Sequence, residues 1–185
     1  MTTEPLYVHA LRHLAHGRPV TAETLAASSG LGVDHSATIM SSWEGAERTA
    51  DGTVIAYGFT QLPTATQVDL AGRHLFTWCG LDAVVFPLLI GEPAVVQTTC
   101  PTTGRAITLT VDPVQGITYS EPTAPVLSIV RPDGRGSLRC SFCDHIRWYA
   151  DADAANLAGL PAGTELWSTD QATLEGPALI DVVLR

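Results

Sequence analysis

Trp78-Cys79-Gly80-Leu81-Asp82 sets a thiol and a carboxylate three residues apart, and Ser141-Phe142-Cys143-Asp144-His145 supplies a second thiol further along the chain. If the first stretch is helical, Cys79 and Asp82 share one face, because positions i and i+3 are helix neighbours. A thiolate is a soft ligand, and a carboxylate beside it is a proton acceptor. Brought together, Cys79, Asp82 and Cys143 could hold a soft metal and move a proton at one place. Few reactions need both.

The four cysteines allow other arrangements. Cys140-x-x-Cys143 with Cys100, and with His145 as a further donor, could make a structural zinc site. Against this, Cys100-Pro101-Thr102-Thr103 lacks the second cysteine of a zinc knuckle. Cys140-x-x-Cys143 could also be a redox pair, although no βαβ pattern frames it. Finally, all four could be buried structural thiols, a common fate of free cysteine. On pattern alone, buried thiols and the convergent Cys/Asp site stand level. His9, His13 and His16 lie at i, i+4 and i+7, a spacing that suits either a metal or a solvated helix face.

The elements that must position these residues are legible in outline. Leu6, Leu11 and Leu14 carry a helical spacing that stops at Gly17 and Pro19. Thr21 can cap a second helix holding Leu25 and Ala26, and a third runs from Asp34 to Trp43. Asp51-Gly52 is a turn dipeptide before a strand over Thr53 to Thr60. Helices followed by a hairpin predict a winged-helix-like N-terminal domain over 1–62. Pro63 to Leu75 reads as a linker with a short strand at Gln67 to Leu70. Residues 77–90 read as a motif helix with an apolar continuation. Strands follow around Ala94 to Gln97, Ile107 to Val111 and Val126 to Val130, with turns at Pro101 to Gly104, Asp112-Pro113 and Pro132 to Gly134. Ala152 to Leu160 reads as a short helix and Leu179 to Leu184 as a closing strand. The fold class is therefore α+β, with a mixed sheet-and-helix domain over 63–185.

Composition excludes several partners. Of 185 residues, 45% are hydrophobic and 16% charged, which suits a folded core rather than a disordered tail. The net charge of −9, with only 10 Lys plus Arg, leaves no basic stripe for nucleic acid or an anionic membrane. No Lys or Arg falls between Asp34 and Trp43, where a recognition helix would need one. Met1 to Tyr7 lacks the pattern of a signal peptide, and Ala83 to Ile90 is too short to span a bilayer. A cytoplasmic protein is expected, in which cysteines stay reduced.

Several stretches are familiar together. W-C-G-L-D-A-V-V-F-P-L-L-I-G (78–91), C-P-T-T-G-R-A-I-T-L-T-V (100–111) and S-F-C-D-H-I-R-W-Y-A (141–150) resemble the organomercurial, or alkylmercury, lyases. L-R-H-L-A-H-G-R-P-V-T-A-E-T-L-A (11–26), D-G-T-V-I-A-Y-G-F-T (51–60) and L-E-G-P-A-L-I (174–180) continue the resemblance in order. It implies that Cys79, Asp82 and Cys143 are catalytic and hold mercury, that a carbon–mercury bond is cleaved by protonolysis, and that no cofactor is added. It implies a structural role for Cys100. It also implies an organomercurial substrate, small thiols as co-reactants and mercuric reductase as an acceptor of Hg(II). Two departures stand out: Asp144 replaces a family cysteine, and the termini are shorter, which implies a more open site. A non-enzymatic soft-metal carrier or sensor, or a lyase fold turned to other chemistry, are the alternatives. Asp82 separates them, since a carrier has no use for a proton donor.

Overall fold

The computed structural model describes residues 4–131 and 137–184. Three helices lead: α1 (Leu6–Ala15), α2 (Ala22–Ser29) and α3 (Val33–Ser42). Helix α1 buries Tyr7, Val8, Leu11, Leu14 and Ala15, a stripe at helical spacing. A reciprocal cap starts α2: Thr21 Oγ1 accepts from the Thr24 amide at 3.2 Å, and Thr24 Oγ1 accepts from the Thr21 amide at 2.9 Å. The predicted boundaries of these helices agree with the structure to within a residue or two.

A short antiparallel pair follows, β1 (Glu47–Arg48) and β2 (Val54–Ala56), joined through Asp51-Gly52. The strand expected over Thr53 to Thr60 is broken. Gly58 takes a φ of 78° and turns the chain into β3 (Phe59–Thr60), which pairs elsewhere. Then come β4 (Thr66–Leu70), β5 (Arg73–Thr77), helix α4 (Asp82–Ile90), β6 (Ala94–Thr99), β7 (Ala106–Asp112) and β8 (Gly116–Glu121). Strands β3-β5-β4-β6-β7-β8 form one antiparallel sheet in that order. The stretch read as a linker up to Leu75 is thus largely a hairpin. Leu70 pairs with Arg73 across Ala71 and Gly72, at φ 52° and 84°, a turn whose twist matches the strands. Strand β8, absent from the sequence reading, is an edge strand with mostly half-buried or exposed residues, so it lacks a clear apolar period.

The remaining elements are β9 (Val126–Ile129), the one-turn helix α5 (Leu138–Ser141), a 3₁₀ turn (Cys143–His145), β10 (Trp148–Tyr149), α6 (Ala152–Leu157), β11 (Glu165–Trp167) and α7 (Thr169–Leu184). A small antiparallel sheet has the order β10-β9-β11. The turn expected at Pro132 to Gly134 lies outside the described residues. The closing strand expected over Leu179 to Leu184 is the end of helix α7. Its buried positions, Ala172, Gly176, Leu179, Ile180 and Leu184, follow helical spacing that begins before the β-branched residues.

Helix α4 is buried on every side, with Ala83, Val84, Val85 and Phe86 fully enclosed. It lies against the large sheet and against α1 and α7. The approach of α7 is close: a Cβ on Gly176 would stand 2.6 Å from Val85 Cγ2 and 3.1 Å from Leu81 Cδ1. The core runs as one cluster from Tyr7 in α1 to Leu184 in α7. No helix among the described residues is long and apolar enough to cross a membrane.

Gly58 is the tightest point of this packing around α4. A Cβ there would stand 2.2 Å from the Phe86 ring, at a φ that L-residues rarely adopt. Gly58→Ala is expected to cost about 2–4 kcal/mol, from left-handed strain plus overpacking. Urea unfolding checks this; an unchanged midpoint would mean that α4 yields freely.

Candidate active site

Cys79 sits in the turn between β5 and α4, one residue pair before the helix rather than within it. The helical i, i+3 geometry expected for Cys79 and Asp82 is therefore replaced by a contact between the backbone of one and the side chain of the other. The Asp82 amide donates to Cys79 Sγ at 3.5 Å. The Thr77 hydroxyl donates to the Cys79 carbonyl at 2.8 Å and holds the turn from the other side. Asp82 is the first residue of α4, at the positive end of the helix dipole.

Gly80 ties this turn to the distant Cys143 segment. Its amide donates to the Ile146 carbonyl at 2.9 Å, and its carbonyl accepts from Trp148 Nε1 at 3.0 Å. A Cβ on Gly80 would stand 2.8 Å from Trp148 Cδ1 and 3.0 Å from Leu127 Cδ1, so only glycine permits the contact. Cys143 itself begins the 3₁₀ turn. The fully buried Ser128 of β9 anchors that turn: its hydroxyl donates to the His145 carbonyl at 2.6 Å and accepts from the Arg147 amide at 3.0 Å.

Cys79, Asp82 and Cys143 converge. One donor atom from each lies within 4.8 Å of the other two, and this is the one group of three or more such donors among the described residues. Their side chains are closed off, at 2%, 3% and 4% exposure for Cys79, Asp82 and Cys143. Aromatic and helical elements of this chain enclose the three groups. Burial pushes the Asp82 carboxyl up to about 7, against the pull of its hydrogen bonds with Cys79. Burial also pushes the Cys79 thiol well up, reinforced by its hydrogen bond with Cys143 and by the Asp82 charge. The group thus sets two thiols beside a carboxyl that can be either acid or base near neutrality.

An aromatic wall adjoins the group. Tyr57 stacks on Trp43 at 5.0 Å between centroids and meets Trp78 edge-on at 6.2 Å. Its hydroxyl donates to the Leu184 carbonyl at 3.3 Å, and burial followed by the Asp82 charge keeps the phenol protonated. Arg139 covers Trp78 at 5.3 Å and pairs with Glu47 at 3.1 Å. The sequence reading gave Tyr57, Gly80 and Ser128 no role of their own, since each acts through contacts with residues distant in the chain.

The other residues singled out in the sequence lie apart. Cys100 is buried at the start of the turn to Gly104, its amide donating to the Arg105 carbonyl at 2.8 Å, outside the convergent group. Cys140 is exposed and Cys143 buried, so the described residues do not assemble a zinc site from Cys100, Cys140, Cys143 and His145. His9 lies 3.3 Å from Glu4, which also pairs with Arg12, and His16 lies 3.5 Å from Glu92, which also pairs with Arg73; neither histidine is part of a donor cluster. Asp144 is exposed and its carbonyl accepts from Arg147 Nε at 2.9 Å.

Two buried thiols around a proton-carrying carboxyl define a soft-metal site able to do acid–base work. Comparison with known proteins agrees with that class. The family described as alkylmercury lyase matches residues 59–157, a stretch that contains all three groups. An alkylmercury lyase of Pseudomonas putida is 39% identical over 168 residues, covering 90% of this chain and 79% of the relative. One of Streptomyces lividans is 37% identical over 169 residues, covering 90% and 78%. A solved structure titled as the mercury-bound form of MerB2 shares the fold, with a TM-score of 0.75 at 21% identity, over 100% of this chain and 93% of that one. The chain belongs to the alkylmercury lyase family.

The Asp82 carboxyl has a measurable consequence. The folded protein keeps its proton up to about pH 7, whereas an unfolded chain releases it near the ordinary value of 3.8. Stability from this group is therefore complete below about pH 4 and is lost as pH rises through about 7, by up to roughly 4 kcal/mol. Asp82→Asn is expected to flatten that slope. Urea titrations of both proteins at about pH 5 and pH 8 test it; parallel curves would show that the carboxyl ionises as freely as in water.

Proposed function

We propose that the protein is an organomercurial lyase that cleaves carbon–mercury bonds by protonolysis, with Cys79, Asp82 and Cys143 as its catalytic and mercury-holding residues. The observation that carries this reading is the enclosure of two thiols and one carboxyl within 4.8 Å of one another. An R–Hg⁺ ion is soft and exchanges its ligand for a thiolate. As the first Hg–S bond forms, ionised Asp82 takes the proton of the attacking cysteine. The second cysteine then binds mercury, its proton leaving on the displaced ligand, and the added electron density weakens the Hg–C bond. The carbon departs with carbanion character and takes a proton from Asp82 acting as general acid. The products are R–H and Hg(II) held by both sulfurs.

A carboxyl raised to about 7 suits this cycle, since it must gain a proton and lose it in successive steps. No added cofactor is invoked, because mercury arrives as substrate. Release of Hg(II) from two thiolates calls for outside ligands, so small thiols and a mercuric reductase are the proposed acceptors, in a cytoplasmic setting. We also read residues 1–62 as a winged-helix-like part bracing a catalytic part over 63–185. The three leading helices and the β1–β2 pair support that division.

With phenylmercury and excess thiol, the protein should release benzene over many turnovers. Cys79→Ser and Cys143→Ser are each expected to abolish turnover. Asp82→Asn keeps both thiols and should still bind mercury, while single-turnover hydrocarbon release falls by roughly two to four orders of magnitude. Cleavage by the Asp82 variant at the wild-type rate would remove Asp82 as proton carrier. Binding without hydrocarbon release by the wild type would make the protein a soft-metal carrier instead.

A further inference from the structure

The catalytic groups are enclosed, yet the same short run of chain carries an accessible thiol. Cys140 lies in α5 and is exposed, whereas Cys143, three residues on, is only 4% exposed. Phe142 explains the difference. It is fully buried and takes φ −130° and ψ −69°, outside the helical region, so the chain leaves α5 and turns inward before the 3₁₀ turn. His145 ends that turn and is exposed again. Cys140 and His145 thus stand on the outer side of the segment whose inner side presents Cys143.

Both outer residues line one surface cavity of about 490 Å³, together with Ser141 and the turn at Pro161, Ala162 and Gly163. That volume is in the range of small-molecule sites. Arg131 forms another wall, held by Glu165 at 3.1 Å and lying 5.6 Å above the Trp167 ring, so its charge is already matched. A sulfur donor and an imidazole nitrogen donor facing one cavity suit a soft cation. The pair does not belong to the buried group, and Cys143 of that group lies between its two members in the chain, three positions after Cys140 and two before His145.

We propose that Cys140 and His145 form an outer capture site for organomercurial cations carried by small thiols, from which mercury passes inward to Cys143 by thiol exchange. This rests on the lyase reading for its purpose. In the first step, Cys140–SH displaces the carrier from R–Hg–SR′. The Hg–S bond to the carrier breaks, one to Cys140 forms, and the carrier leaves as R′SH with the Cys140 proton. In the second, Cys143 displaces Cys140 in the same way and Cys140 regains a proton. No oxidation state changes. The physical advantage lies in access: exchange needs an approachable sulfur, and burial makes the inner thiols poor first contacts.

The test is the rate at which the phenylmercury–glutathione adduct loads the protein, followed by rapid quenching and intact mass. Cys140→Ser should load about tenfold more slowly, and His145→Gln severalfold, the loss falling on kcat/KM and not on hydrocarbon release from preloaded protein. The double variant Cys79→Ser/Cys143→Ser should still take one phenylmercury per chain, and lose it when Cys140 is also replaced. Loading of Cys140→Ser at the wild-type rate, or no uptake by the double variant, overturns the capture site. Loading that depends on Cys140 with no hydrocarbon released by the wild type would leave capture standing and overturn the lyase reading. Normal loading without Cys140 beside normal cleavage would do the reverse.

Discussion

The backbone of Gly80 is where the two halves of the site are joined. One amide, one carbonyl and the absence of a Cβ bring the β5–α4 turn against Ile146 and Trp148, at 2.9 Å and 3.0 Å. Those contacts set Cys79 and Asp82 in front of Cys143, which is 64 residues from Cys79 in the chain (143 minus 79). Any side chain at this position would press on Trp148 and Leu127 and part the two segments. Ser128 then fixes the far segment by satisfying the backbone on either side of Ile146. Buried polar groups of this kind specify one arrangement because leaving them unpaired is costly.

Within that frame, burial and local dipoles oppose each other at Asp82. The start of α4 and the Cys79 contacts favour a carboxylate, while enclosure by apolar neighbours favours the neutral acid. Enclosure wins and leaves the carboxyl near 7. A polar, open site would have held it ionised and without a proton to give. The fold supplies the enclosure through α4, whose residues Ala83 to Phe86 are wholly buried, and through α7 packed closely against it at Gly176.

The first and last helices contribute through aromatic contacts. Tyr57 links Trp43 at the end of α3, Trp78 beside Cys79 and the Leu184 carbonyl at the end of α7. Tyr7 in α1 reaches Asp181 in α7 at 3.0 Å. These contacts join α1, α3 and α7 around the aromatic cluster beside Cys79. Enclosure and soft-metal chemistry depend on the same packing, which leaves the question of access to the outer surface of the Cys143 segment.

Much of this was legible in the residues themselves. Local signals placed α1 to α3, since capping at Thr21, the stop at Gly17 and the apolar stripe of α1 act over a few residues. Residue chemistry made Cys79, Asp82 and Cys143 one candidate set among several, and only the family resemblance singled it out. Tertiary context decided the rest. Cys79 lies before its helix because Gly80 must meet Ile146, a contact that no local pattern encodes. Leu179 to Leu184, locally strand-like, are helical because α7 packs along α4. Edge strand β8 showed no period because only one of its residues is fully buried. Residue type determined which chemistry was available to this chain. Only the folded packing decided which thiols meet the carboxyl and how strongly it holds its proton, because distance and desolvation are properties of the fold.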